Sequence, residues 1–157
     1  MKPTMRNALG LAAILAATAV APALGAKSRP DRWYRSLRKP RHTPPSWVFA
    51  PVWAALYAGS AFAAFRVWRS APSRARTRAL ALWGVQHALN AAWSPLFFRA
   101  HRPRAALADI GAILATSAAF VREARGVDRT ASWLMTPYVG WIAYAGTINA
   151  GVVTKNA

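Results

Sequence analysis

The chain has 157 residues, of which 55% are hydrophobic and only 16% charged, and its mean hydropathy is +0.14. Lys and Arg number 21 against 4 Asp and Glu, a net charge of +17, and Cys is absent. These figures exclude a disulfide framework, a thiolate metal centre and a cysteine nucleophile; the cations fall in short clusters between apolar runs, which argues against a nucleic-acid partner and for anionic lipid headgroups.

Cutting the sequence at its charges leaves five uncharged or nearly uncharged segments, 8–26, 47–65, 79–98, 105–121 and 130–154. A helix needs about 20 residues to cross the hydrocarbon, with about 17–25 workable, and all five fit. The runs lack the period-2 alternation of barrel strands and exceed their length. The expectation is an all-α integral membrane protein, a five-transmembrane-helix bundle in which 1–157 form a single domain. Pro22, Pro51, Pro95 and Pro137 fall inside the segments, where neighbouring helices can satisfy the carbonyls they free.

The first segment has two readings. A basic start, an apolar run over 8–21 and the small residues Pro22-Ala23-Leu24-Gly25-Ala26 also describe a cleavable signal peptide. The link 27–46 that follows is long for a compact bundle and carries Lys27, Arg29, Arg32, Arg35, Arg38, Lys39 and Arg41. Its Trp33, Tyr34 and Leu37 predict an ordered, functional loop.

The second segment places Trp53 and Tyr57 four residues apart, on one helical face. In the third, Gln86, Asn90, Trp93 and Phe97 share a stripe. Amides are costly in hydrocarbon, so Gln86 and Asn90 should face the interior, either joining helices or orienting a ligand. His87 beside them has no second ligand at metal-site spacing and reads as a hydrogen-bonded helix residue. Gly84 and Ala88 form a small-xxx-small pair, suited to packing within the bundle or to a homodimer.

Asp109, one turn inside the fourth segment, is expected to pair with Arg102 and Arg104 at the interface. The fifth segment aligns Tyr138, Trp141, Ala145 and Ile148. Of the eight tryptophans, Trp33, Trp47, Trp68, Trp83 and Trp133 lie near segment ends, as an interfacial belt would have them. Trp53, Trp93 and Trp141 lie deeper. Three helices thus present aromatic stripes, the pattern of a cavity for a flat apolar ligand. No Gly-rich phosphate loop, Ser/His/Asp set or paired carboxylates appear, so hydrolytic or phosphoryl-transfer machinery is not visible. Lys and Arg divide ten against eleven between the two ends of the segments, which leaves the orientation open.

Four patches carry a resemblance. They are Trp33-Tyr34-x-x-Leu37-x-Lys39-Pro40 with Pro44-Pro45-x-Trp47; Trp47-x-Phe49-x-Pro51-x-Trp53-x-x-Leu56-Tyr57; Gln86-x-x-Leu89-Asn90-x-x-Trp93-Ser94-x-x-Phe97-Phe98; and Pro137-Tyr138-x-x-Trp141-x-x-x-Ala145-x-x-x-Asn149. In order and spacing the chain resembles the TspO/MBR family, the tryptophan-rich sensory or translocator proteins. The resemblance implies a five-helix bundle with a retained first helix, a homodimer in bacterial members, and a multi-pass place in a bacterial cell membrane. It implies a pocket under the first loop for protoporphyrin IX or a related tetrapyrrole, with sterol-like and benzodiazepine-type ligands also known in the family, and no required cofactor.

The ligand contacts it implies are Tyr34 and Pro44 from the loop, Trp53 and Tyr57, then Asn90, Trp93 and Ser94, then Trp141, Ala145 and Ile148. It also implies a role as a sensor or regulator of porphyrin and stress responses. Light- and oxygen-dependent porphyrin breakdown and transport are its alternatives. Animal members carry a proposed sterol motif that needs a Tyr shortly before a Lys or Arg; the stretch 150–155 has none. That departure favours a tetrapyrrole sensor over steroid transport.

Overall fold

The computed structural model describes residues 3–28 and 31–157; Lys2 and the loop cation Arg29 lie outside them. Among the described residues the chain is helical, without strands. It forms α1 (Pro3–Lys27), α2 (Arg32–Ser36), α3 (Ser46–Arg69), α4 (Arg74–Ser94), α5 (Pro103–Arg125) and α6 (Arg129–Lys155). Each predicted segment lies within one long helix or its direct extension. The helices outrun the apolar segments because flanking cations such as Arg66, Arg69, Arg122, Arg125 and Lys155 occupy their last turns, where they meet the negative end of the helix dipole.

Two features depart from the sequence pattern. The long basic loop contains a short helix, α2, because Asp31 caps it by accepting from the Tyr34 N–H at 2.9 Å. Helix α4 does not stop at Pro95 but slips into a π-helical turn over Pro95–Arg99, with the Ala100 amide bonded to the Pro95 carbonyl. A proline removes one ladder donor, and a π turn re-pairs the backbone one residue further on. At Pro22, Pro51 and Pro137 the helices run through.

The five long helices close into a ring, with neighbours in the order α1, α4, α5, α6, α3 and back to α1, and α3 also touches α4 across the middle. Small side chains line the contacts: Ala63 and Ala64 on α3, Ala79 on α4, Ala106 and Ala124 on α5, Ala131 on α6, all fully buried. Helices without a hydrophobic drive to associate depend on such close backbone approach. Helix α1 approaches α3 at Gly10, where an added Cβ would collide with the Trp68 indole.

Three of these helices, α1, α3 and α5, are long and apolar enough to cross a membrane by length and composition. Only part of the predicted aromatic belt lies at the surface. Trp47 and Trp133 are 74% and 68% exposed. Trp83 is instead buried, its indole N–H donating to Ser60 at 2.9 Å. Trp33 and Trp68 pack against Phe97 and the α1 backbone at Gly10.

At one end, Asp128 joins the two helices that bear most of the aromatic residues. It caps α6 by accepting from the Ala131 N–H at 2.8 Å, and it pairs with Arg66 of α3 at 3.0 Å. Burial opposes its ionisation, but Arg66 and the α6 amides outweigh that and hold the carboxyl below its ordinary 3.8. A depressed carboxyl stabilises the fold fully above its unfolded value, and that stabilisation is lost as pH falls through the folded one. Asp128→Ala should therefore cost about 1–2 kcal/mol at pH 7. Thermal unfolding in detergent should show the gap to wild type closing as pH drops below about 4.

Candidate functional site

Helix α3 turns Phe49 and Trp53 toward α6, with Tyr57 beside them. Trp53 stacks on Tyr57 with centroids 5.1 Å apart and meets Tyr138 at 6.1 Å and Trp141 at 6.5 Å, both edge to face. Phe49, one turn before Trp53, also reaches Trp141, at 5.9 Å. The spacing arguments thus hold in space: the stripes of α3 and α6 form one aromatic cluster.

Helix α4 closes that cluster with polar groups. The Tyr57 hydroxyl donates to Asn90 Oδ1 at 2.6 Å, tying α3 to α4 within the bundle. Gln86 is fully buried and Asn90 is 8% exposed, so both amides face inward as their cost in hydrocarbon requires. The His87 ring lies between Trp83, at 4.2 Å, and Tyr138, at 6.5 Å, and Gln86 abuts its Nδ1. His87 Nδ1 also lies 3.2 Å from the Trp83 carbonyl, one turn back on the same helix. His87 is thus held against its own helix by the Trp83 carbonyl and the Gln86 side chain.

Four buried polar atoms in this region have no partner among the described residues: Gln86 Oε1, His87 Nε2, the Tyr138 hydroxyl and Trp141 Nε1. Native interiors leave few such atoms, and each calls for an explanation. Here four unpartnered polar atoms, an amide oxygen, an imidazole nitrogen, a phenol and an indole N–H, cluster beside an aromatic wall.

A second aromatic group lies under the loop. Tyr34 meets Phe97 at 6.1 Å and Phe98 at 5.1 Å, while Trp93 stacks on Phe97 at 5.1 Å. The Lys39 ammonium sits 4.4 Å over the Tyr34 ring. Burial pushes the Tyr34 hydroxyl above its ordinary value of 10, so it is a neutral donor at pH 7. Trp93 is oriented by Asn149, whose Oδ1 accepts the indole N–H at 3.3 Å while its Nδ2 donates to the Pro103 carbonyl at 2.8 Å.

The loop is clasped along its length. His101 meets Asp31 at 2.9 Å and stacks on Trp33; Arg38 and Asn156 exchange two backbone–amide bonds of 3.0 Å; Tyr144 donates to the His42 carbonyl at 2.5 Å. The amide of Tyr34 and then His101 hold the Asp31 carboxyl below its ordinary value. Buried Pro40 packs on Gly151 of α6, where a Cβ would collide with it.

Of the ten residues singled out by sequence, Trp53, Tyr57, Asn90 and Trp141 share the inner cluster, and Tyr34 and Trp93 share the loop-end group. Pro44, Ala145 and Ile148 are half-buried, the last two further along the α6 stripe. The Ser94 hydroxyl instead faces Gly25 of α1. Phe49, Tyr138 and Asn149 stand in the motifs but outside that set; Asn149, an amide at membrane depth, had the same signal as Asn90.

One expectation changes, and one open alternative narrows. Asp109 forms no ion pair with Arg102 or Arg104 among the described residues; its carboxylate lies half-buried with Oδ2 unpartnered. Gly84 and Ala88 are exposed, and an added Cβ on Gly84 would meet nothing within 4 Å. That pair does not pack within this chain.

Asn149→Leu should strand both the Trp93 N–H and the Pro103 carbonyl, at a cost of about 1–3 kcal/mol each if both stay dry. A lower unfolding temperature and a shifted tryptophan emission spectrum would register it. The conservative Asn149→Gln should recover part of the loss.

Residues 10–154 match the TspO/MBR family. The chain is 37% identical over 120 residues to a translocator protein of Bos taurus, covering 75% of this chain and 71% of that protein. It is 35% identical over 141 residues to protein CrtK of Rhodobacter capsulatus, covering 89% and 88%. A tryptophan-rich sensory protein of Cereibacter sphaeroides is 36% identical over 142 residues, covering 90% and 88%. With the apolar membrane-crossing helices, the paired amides and the aromatic wall in place, these matches make the chain a membrane protein of the TspO/MBR family.

Proposed function

We propose that this chain is a membrane-embedded binding protein and sensor for flat tetrapyrroles of the protoporphyrin IX type, with all five long helices crossing the bilayer. One observation carries the reading: an aromatic cluster drawn from α3 and α6 stands beside buried polar atoms that have no partner among the described residues. Aromatic faces stack on a macrocycle, and the unpartnered atoms supply orientation. The exposed arginines Arg32, Arg35 and Arg38 of the loop suit the carboxylates such a ligand carries.

The crossing of α4 and α6 follows from the same chemistry. Their mean hydropathy is lowered by Gln86, His87, Asn90, Tyr138 and Asn149, all buried inside the ring and not presented to lipid. A helix whose polar groups face its own bundle is still apolar to the bilayer. Trp53 and Trp141, two oxidisable indoles in edge contact, favour light-driven breakdown of bound porphyrin as the second reading. Illumination of the complex tests it: no new absorbing product beyond a protein-free control removes it.

Titration with protoporphyrin IX should quench the tryptophan emission saturably. Trp53→Phe and Trp141→Phe should each weaken binding by about tenfold, the worth of one good aromatic contact. Wild-type affinity in both variants would place the ligand elsewhere.

The outward Gly84 and Ala88 belong, on this proposal, to a homodimer contact of α4. Gly84→Trp has room within the chain and should keep the unfolding temperature while turning a dimer into a monomer in light scattering of the detergent-solubilised protein. An unchanged oligomer would remove that face from the interface.

A further inference from the structure

Asp109 is the ionisable group that neither the fold nor the aromatic wall employs. It lies half-buried on α5, beside the buried stripe of Ala106, Ile110 and Ile113. Two contacts fix its level. The Pro103 carbonyl accepts from Asn149, and Ile110 lies beside Gly146, within 3.2 Å of where its Cβ would be. Asp109 is bracketed between these points, beside the α6 turn that carries Ala145 and Ile148.

Oδ2 is buried and takes no hydrogen bond, and the ion pairs among the described residues, Arg66–Asp128, His101–Asp31 and Arg122–Glu123, leave Asp109 out. A carboxylate at membrane depth is expensive unless something answers its charge or accepts its hydrogen-bonding capacity. Structural pairing would supply that from Arg102 or Arg104, and it does not. Helix packing alone would be served better by Leu or Ala, as at the neighbouring Leu107 and Ala108.

From this we infer that Asp109 is a further ligand-contacting residue of the same site, accepting from a protonated or N–H-bearing nitrogen of a flat aromatic ligand. The inference rests on the binding reading above and adds an electrostatic polarity to it. Cationic loop residues take the ligand's acids, and Asp109 takes its nitrogen donors. The pyrrole N–H groups of a metal-free tetrapyrrole are donors of this kind. Helix α5 then contributes to recognition as well as to packing.

Two planar probes of one shape separate the outcomes: 9-aminoacridine, a cation at pH 7, and acridone, which is uncharged. Binding to the full chain in detergent is read by tryptophan quenching. The wild type should prefer the cation by about tenfold or more, the scale of a charge-assisted hydrogen bond. Asp109→Asn should abolish that preference while leaving acridone affinity unchanged, and Asp109→Glu should restore much of it.

A wild type without the preference overturns the inference, and that result needs no variant to fold. So does an Asp109→Asn protein that loses both probes equally, which marks a structural role, or one that keeps the preference. Protoporphyrin IX is titrated into the same wild-type preparation. Protoporphyrin binding without cation preference defeats only the role of Asp109, whereas failure to bind protoporphyrin defeats the tetrapyrrole reading itself.

Discussion

A polar group inside hydrocarbon must be answered within the protein, and the rest of this bundle depends on how that is done. Backbone groups are satisfied by making every long segment a helix. Side chains are satisfied by bonds between helices: Trp83 to Ser60 joins α4 to α3, Tyr57 to Asn90 repeats that link, and Ser132 to the Val121 carbonyl joins α6 to α5. Asn149 does so twice, reaching α4 through Trp93 and α5 through Pro103. These bonds fix which faces of the alanine-rich helices meet. Alanine contacts alone are nearly interchangeable along a helix and would not select one register.

The same constraint explains what could be read from the sequence. Charge clusters mark the ends of the apolar runs, so the five long helices were visible as gaps between cations. Gln86 and Asn90 could be assigned to the interior because amides facing lipid are disfavoured. Trp83 could not be placed, since its burial depends on Ser60, a residue of another helix that no spacing rule connects to it. The π turn at Pro95 was hidden for a similar reason: Pro announces a broken ladder but not how the next amides re-pair. Asp109 was assigned to the interface from its sequence distance to Arg102 and Arg104, but those residues stand at the start of α5 and form no ion pair with it.

The site was legible as composition and less so as geometry. Spacing put Trp53 with Tyr57 and Tyr138 with Trp141, because residues four or three apart must share a face. It could not show that Tyr34 and Trp93 form a separate group under the loop, linked through Phe97 and Phe98. That division follows from α2. Once Asp31 caps a short helix, Trp33 and Tyr34 project onto the π turn of α4, and the aromatic cluster between α3 and α6 is left to the long helices.

The loop is held across one end of the ring. Its three clasps draw on different elements: His101 after the π turn, Asn156 at the end of α6, and Tyr144 in the middle of the last two turns before Asn149. A loop held by one clasp would leave with it, whereas three independent ones must release together for the loop to lift. Each clasp is exposed, so water competes for its hydrogen bonds and weakens it. The inner bonds of Tyr57 and Asn149 have no such competitor. The bonds between helices therefore make a firm interior, and the clasps hold the loop over it more loosely.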